Sequence, residues 1–88
     1  ARLAPDSARY AYVHGVALNS AGETARALDT LAAASRRHPA DRDILLALAT
    51  INRDAGRLAE ARKYAQRLAA VDPADTAEAA LLQELDPG

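Results

Sequence analysis

The chain has 88 residues, enough for one small domain, and a net charge of −1 with both signs scattered along the sequence. Cysteine is absent, which excludes a disulfide framework and a cysteine metal site. The dispersed charge disfavours nucleic-acid binding, which needs a clustered basic face, and no apolar run approaches the length of a membrane span. Arginine far outnumbers lysine and alanine dominates, a composition typical of a GC-rich bacterial genome.

Two helices are predicted in the first half of the chain. The first spans about Ser7–Ser20, is capped by its first residue, and ends in a short turn at Gly22. Apolar spacing places His14 on a face that we expect to be buried against a neighbouring helix. The second helix spans about Thr24–Arg37, and Pro39 prevents it from continuing.

Three further helices are predicted in the second half. The third spans about Asp41–Asp54, is capped by its first residue, and is broken by Gly56. The fourth spans Leu58–Val71 and ends before Pro73, and a last helix covers Thr76–Leu85. Because the connecting loops have only about two to four residues, neighbouring helices are expected to run antiparallel.

Several residue types recur at an interval of 34 positions. The sets that share this interval are Pro5, Pro39 and Pro73, then Gly22 and Gly56, then Ala27 and Ala61. A period common to different residue types indicates that one structural unit is repeated.

This period resembles the tetratricopeptide repeat, a helix–turn–helix unit of about 34 residues with the pattern W-x2-L-G-x2-Y…A-x3-F…P. The matching positions of the first unit are Ala11, His14, Gly15, Leu18, Ala27, Leu31, Ala34 and Pro39. Those of the second unit are Leu45, Leu48, Ala49, Asn52, Ala61, Ala65, Leu68 and Pro73. The small residues Gly15 and Ala49 are expected to let paired helices approach closely, whereas smaller or polar residues replace the large aromatics of the pattern.

The resemblance implies an all-α fold, an α-solenoid of antiparallel helical hairpins. We expect a right-handed stack of five helices within one domain spanning 1–88. The first repeat would cover 7–40, the second 41–74, and a capping helix 75–85. Because the chain has no Met, we expect it to be a piece of a longer bacterial protein with more repeats.

The first helix of each unit is expected to line a concave groove, as in the family that the chain resembles. The predicted groove residues are Arg9, Tyr12, Val13, Val16, Asn19, Asp43, Leu46, Ala47, Thr50 and Arg53. Tyr12 and Leu46 stand one period apart and should lie side by side. Tyr and Arg are common at binding hot spots. Alternatively, the same residues pack against a further unit or a second copy of the chain.

The leading functional hypothesis is therefore a protein–protein interaction scaffold that binds a peptide or a partner domain in this groove. The alternative is a structural module that self-associates through an apolar N-terminal edge containing Leu3, Val13 and Val16. A weaker alternative is an RNA-binding helical repeat. The lysines and asparagines with which some members of the resembled family grip a C-terminal carboxylate are missing here.

Catalysis finds little support in the sequence. The serines lie at caps, turns and helix ends, and the two histidines lack the spacing of a helical metal pair. We therefore expect no enzyme activity, no cofactor and no metal, and protein partners rather than nucleic acid or membrane. The chain is expected to be a monomer or weak homo-oligomer. We expect a cytoplasmic location by default and a periplasmic location if the parent protein carries a signal peptide.

Overall fold

The computed structural model describes residues 7–71, which form four α-helices and contain no strand. The helices are α1 (Ala8–Ser20), α2 (Thr24–Arg37), α3 (Arg42–Asp54) and α4 (Leu58–Val71). The bounds of α2 and α4 are those predicted, while α1 and α3 each begin one residue later because their caps stand outside the helix. The predicted fifth helix lies outside the described residues.

The two predicted N-caps of α1 and α3 are confirmed. The Ser7 Oγ accepts a hydrogen bond from the Tyr10 backbone N–H at 3.0 Å. The Asp41 Oδ1 accepts one from the Ile44 backbone N–H, also at 3.0 Å. Each cap satisfies a donor that has no partner within the first turn, and thereby fixes the start of the first helix in each unit.

The recurring glycines end α1 and α3 in the same backbone geometry. Gly22 has φ +85° and Gly56 has φ +80°, values that only glycine adopts without strain. After α1, the Glu23 N–H donates to the Leu18 carbonyl at 2.9 Å. This is the bond of a Schellman motif that spans five residues along the chain. The same bond recurs one period later at the end of α3. The turns of the two hairpins are therefore equivalent.

The hydrophobic core runs along the stack, since each described helix packs against the next and α1 also contacts α3. α3 lies at the centre and buries most of its apolar residues, whereas α1 buries only Ala11 and Gly15. The largest fully buried apolar side chains are Leu31, Ile44, Leu45, Leu48 and Leu68. None of the helices in the described part of the chain is long and apolar enough to cross a membrane.

Gly15 brings α1 and α2 together, as the sequence predicted. A Cβ atom built at this position would lie 2.5 Å from the Leu31 Cγ. The Leu31 side chain is fully buried, so moving it aside would disturb the close-packed core. The close approach of the two helices thus depends on the missing side chain.

The predicted burial of His14 is wrong. Its side chain is exposed on α1, with its ring centroid 5.9 Å from that of Tyr10. The equivalent residue of the second unit, Leu48, is only 1 % exposed. The difference arises because the α1–α2 hairpin packs against α3, whereas no element within residues 7–71 precedes α1.

Candidate interaction groove

A cleft of about 300 Å³ lies between α1 and α3. Because α2 runs antiparallel to both, these two helices run in the same direction and present equivalent faces side by side. The cleft is lined by Tyr12, Val16, Asn19, Leu46, Ala47, Thr50, Ile51 and Asp54. The structure therefore places Tyr12 and Leu46 in one cleft, together with four other residues predicted for the groove.

The centre of the cleft is apolar. Ala47 and Ile51 are buried and form its floor, at 7 % and 6 % exposure. Tyr12 and Leu46 are partly buried and pack against the core with their inner atoms. Val16 is 37 % exposed and completes the wall on the α1 side. A partner side chain placed here would cover apolar surface that is otherwise in contact with water.

Predicted groove residues Arg9 and Asp43 lie beyond the cleft, near the start of the two helices. The Arg9 Nη1 lies 3.9 Å from the Asp43 Oδ2, and both side chains are more than half exposed. An exposed ion pair at this distance contributes little to stability. The Arg9 guanidinium carbon also lies 5.5 Å from the centroid of the Tyr12 ring, within the range of a cation–π interaction.

At the other end of the cleft, the lining side chains are polar and form hydrogen bonds within the protein. The Thr24 hydroxyl donates to the Asn19 Oδ1 at 3.0 Å. The Thr50 hydroxyl donates to the Leu46 carbonyl at 3.0 Å. The Asn19 amide N–H groups and the Thr50 oxygen lone pairs therefore remain for a ligand.

Asp54 also lines this end of the cleft, on the last turn of α3. Its Oδ1 accepts a hydrogen bond from the Arg53 Nε at 3.2 Å, and its side chain is 70 % exposed. Arg53, another predicted groove residue, stands beside the cleft without lining it. The last predicted groove residue, Val13, is 48 % exposed and likewise lies outside the cleft.

Sequence reasoning missed two lining residues, Ile51 and Asp54. Ile51 serves both the core and the cleft floor, and an apolar residue at core spacing gives no separate signal for the cleft. Asp54 follows Thr50 by one helical turn, so helical spacing from a predicted groove residue could have identified it.

The described residues form no metal-binding group, and the hydroxyl of one serine is engaged within its own helix. Within residues 7–71, no group of three or more His, Asp or Glu side chains could hold a metal ion. Ser35 lies in the last turn of α2, as predicted, but it is buried, and its hydroxyl donates to the Ala32 carbonyl at 2.8 Å. A hydroxyl held in this way serves the helix rather than a substrate.

Stacked helical hairpins with a shared groove define a helical-repeat protein. The family model for the tetratricopeptide repeat matches residues 18–85, which is most of the chain. The chain therefore belongs to the tetratricopeptide repeat family, whose repeats generally mediate protein–protein interactions and are typically not catalytic. Comparison with curated proteins and with solved structures gave no match.

Proposed function

We propose that this chain is a protein–protein interaction scaffold that binds a peptide segment or partner domain in the cleft between α1 and α3. The observation that carries the proposal is the partly exposed apolar centre of Tyr12, Val16 and Leu46 between two parallel helices. The proposal includes one domain of two repeats, 7–40 and 41–74, followed by a capping helix at 75–85.

The cleft has a size suited to binding a side chain of a partner protein. Its volume of about 300 Å³ is at the lower end of the range of about 300–1,000 Å³ found for ligand pockets. A volume of this size accommodates one or two apolar side chains of a larger binding partner. The affinity would come from burying those side chains against Tyr12 and Leu46, with the polar rim setting their orientation.

Replacing Tyr12 with alanine is expected to weaken partner binding by about fivefold or more, since a central aromatic commonly contributes over 1 kcal/mol. The measurement is isothermal titration calorimetry with peptides selected from a random display library against the unmodified chain. Tyr10→Ala is the matched control because Tyr10 lies on the same helix, is 40 % exposed, and does not line the cleft. The proposal fails if the selected peptides depend on Tyr10 instead of Tyr12.

A second candidate function is self-association through the outer face of α1. Tyr10 and Val13 are 40 % and 48 % exposed, whereas Ile44 and Ala47, one period later, are 0 % and 7 % exposed. The apolar surface that is buried in the second unit is thus exposed at the equivalent positions of the first unit.

If α1 mediates self-association, Val13→Glu is expected to lower the average mass measured by sedimentation, because a charge would be buried in the interface. Wild-type mass should rise across an approximately tenfold increase in concentration. A constant monomer mass for the wild-type chain rules this function out.

A further inference from the structure

We propose that the partner segment carries an aliphatic side chain and, two residues away from it, a lysine or arginine. This inference rests on the groove's proposed role in protein binding and specifies the chemistry of the partner. The aliphatic side chain would enter the centre of the cleft between Tyr12 and Leu46, and the cation would lie against Asp54.

The charge of the lining favours a cation. Among the residues that line the cleft in the described part of the chain, Asp54 is the one with a charged side chain at neutral pH. Its Oδ1 accepts a hydrogen bond from the Arg53 Nε, and the side chain as a whole is 70 % exposed, so the carboxylate can be reached from solvent. A carboxylate accepts more than one charge-assisted hydrogen bond, so a partner cation can bind without displacing Arg53.

The ends of the two helices reinforce this preference. α1 ends at Ser20 and α3 ends at Asp54, and both ends lie at the same end of the cleft. The C-terminus of a helix carries a partial negative charge that stabilises a nearby cation and repels an anion. Two such ends and one carboxylate therefore act in the same direction.

Two arginines, Arg9 and Arg53, lie near the cleft, but each already contacts a carboxylate of the protein. They therefore do not favour an anion over a cation. The Arg9 Nη1 lies 3.9 Å from the Asp43 Oδ2, and Arg9 also stacks over the Tyr12 ring. Arg53 donates to Asp54 itself. An acidic partner segment would have to compete with these carboxylates and would approach Asp54.

The spacing along α3 fixes where the cation must stand in the partner. Leu46 and Asp54 are separated by about 12 Å along the helix axis, at 1.5 Å per residue. An extended segment advances about 3.3 Å per residue, and a lysine side chain supplies most of the remaining reach. Side chains two residues apart in an extended segment point to the same side and lie about 7 Å apart along it. A lysine or arginine two residues from the aliphatic side chain therefore faces the cleft and reaches the carboxylate.

The test uses three capped pentapeptides and amide-resolved NMR titration of the full chain. The probes are acetyl-Gly-Leu-Leu-Lys-Gly-amide and the two matched peptides that carry Gln or Glu in place of Lys. The Lys peptide is expected to bind about two- to fivefold more tightly than the Gln peptide, the range of an exposed charge pair, and the Glu peptide most weakly. Its resonance shifts should include Tyr12, Leu46 and Asp54.

Two variants locate the effect. Asp54→Asn should bring the affinity ratio of the Lys and Gln peptides close to one. Asp29→Asn, on α2 and outside this cleft, should leave the ratio unchanged. A Lys preference that survives Asp54→Asn, or that is lost in Asp29→Asn, overturns the assignment to Asp54.

The outcomes separate this inference from the function on which it rests. Equal binding of all three peptides with shifts at Tyr12 and Leu46 overturns the charge preference and leaves the groove as a peptide site. Tighter binding of the Glu peptide with shifts at these residues would likewise overturn the charge preference and leave the groove as a peptide site. If none of the peptides shifts the cleft residues at millimolar concentration, both the charge preference and the groove's binding of short apolar segments are overturned.

Discussion

Replacing Leu48 with histidine is expected to lower the free energy of unfolding by about 3–5 kcal/mol, measured by urea denaturation followed by circular dichroism. Leu48 is 1 % exposed and lies in the core cluster, so the change removes a packed aliphatic side chain and buries two ring nitrogens. The variant reproduces in the second unit the residue that the first unit already carries at His14.

The same variant should become pH-dependent. Burial favours the neutral imidazole, so the pKa of the introduced histidine in the folded state would lie below its unfolded value of about 6.5. Stability should therefore be highest above that value and fall further as the pH drops through it. A stability that rises at acidic pH would contradict a buried imidazole.

His14→Leu is the matched control for this comparison. Since His14 is exposed, this change should alter the free energy of unfolding by no more than about 0.5 kcal/mol. A stabilisation of several kcal/mol would instead show that the outer face of α1 is covered in solution, in agreement with self-association.

Gly15→Ala is expected to destabilise the fold by about 1–3 kcal/mol through overpacking. Helix propensity alone would give the opposite result, because alanine is favoured over glycine within a helix by about 1 kcal/mol. The sign of the change therefore decides whether contact with Leu31 or propensity dominates. The measurement is the shift in the urea midpoint.

The Leu31→Ala background provides the control for Gly15→Ala. The three nearest atoms to a Cβ at position 15 are the Leu31 Cγ, Cδ2 and Cδ1, at 2.5, 2.7 and 2.9 Å. Removing them should make Gly15→Ala neutral or stabilising, which would appear as a coupling energy between the two sites. An unchanged penalty in the Leu31→Ala background would place the strain elsewhere.

The helix bounds were predictable because local chemistry marks them. Ser7 and Asp41 cap the starts of α1 and α3, and Gly22 and Gly56 occupy the left-handed positions after their ends. Such signals act within a few residues of the chain and do not depend on tertiary contacts. The cleft centre was also predictable, since Tyr12 and Leu46 occupy the same position in successive repeats.

Burial was less predictable where it depends on which neighbour is present. His14 and Leu48 occupy equivalent positions, yet the first is exposed and the second buried, because within residues 7–71 the α1–α2 hairpin packs against α3 while no described element precedes α1. Asp54 reads as an ordinary helix-end acid in the sequence. Its place in the cleft depends on α1 lying alongside α3, which local pattern does not specify.

Some residues that line the cleft also belong to the core and others do not, which matters for engineering new binding preferences. Ala47 and Ile51 belong to both the core and the cleft, so altering them would change folding and recognition together. Val16, Thr50 and Asp54 reach the cleft from outside the core cluster. A combinatorial library confined to those outer positions would sample new binding preferences while every member inherits the same folded frame.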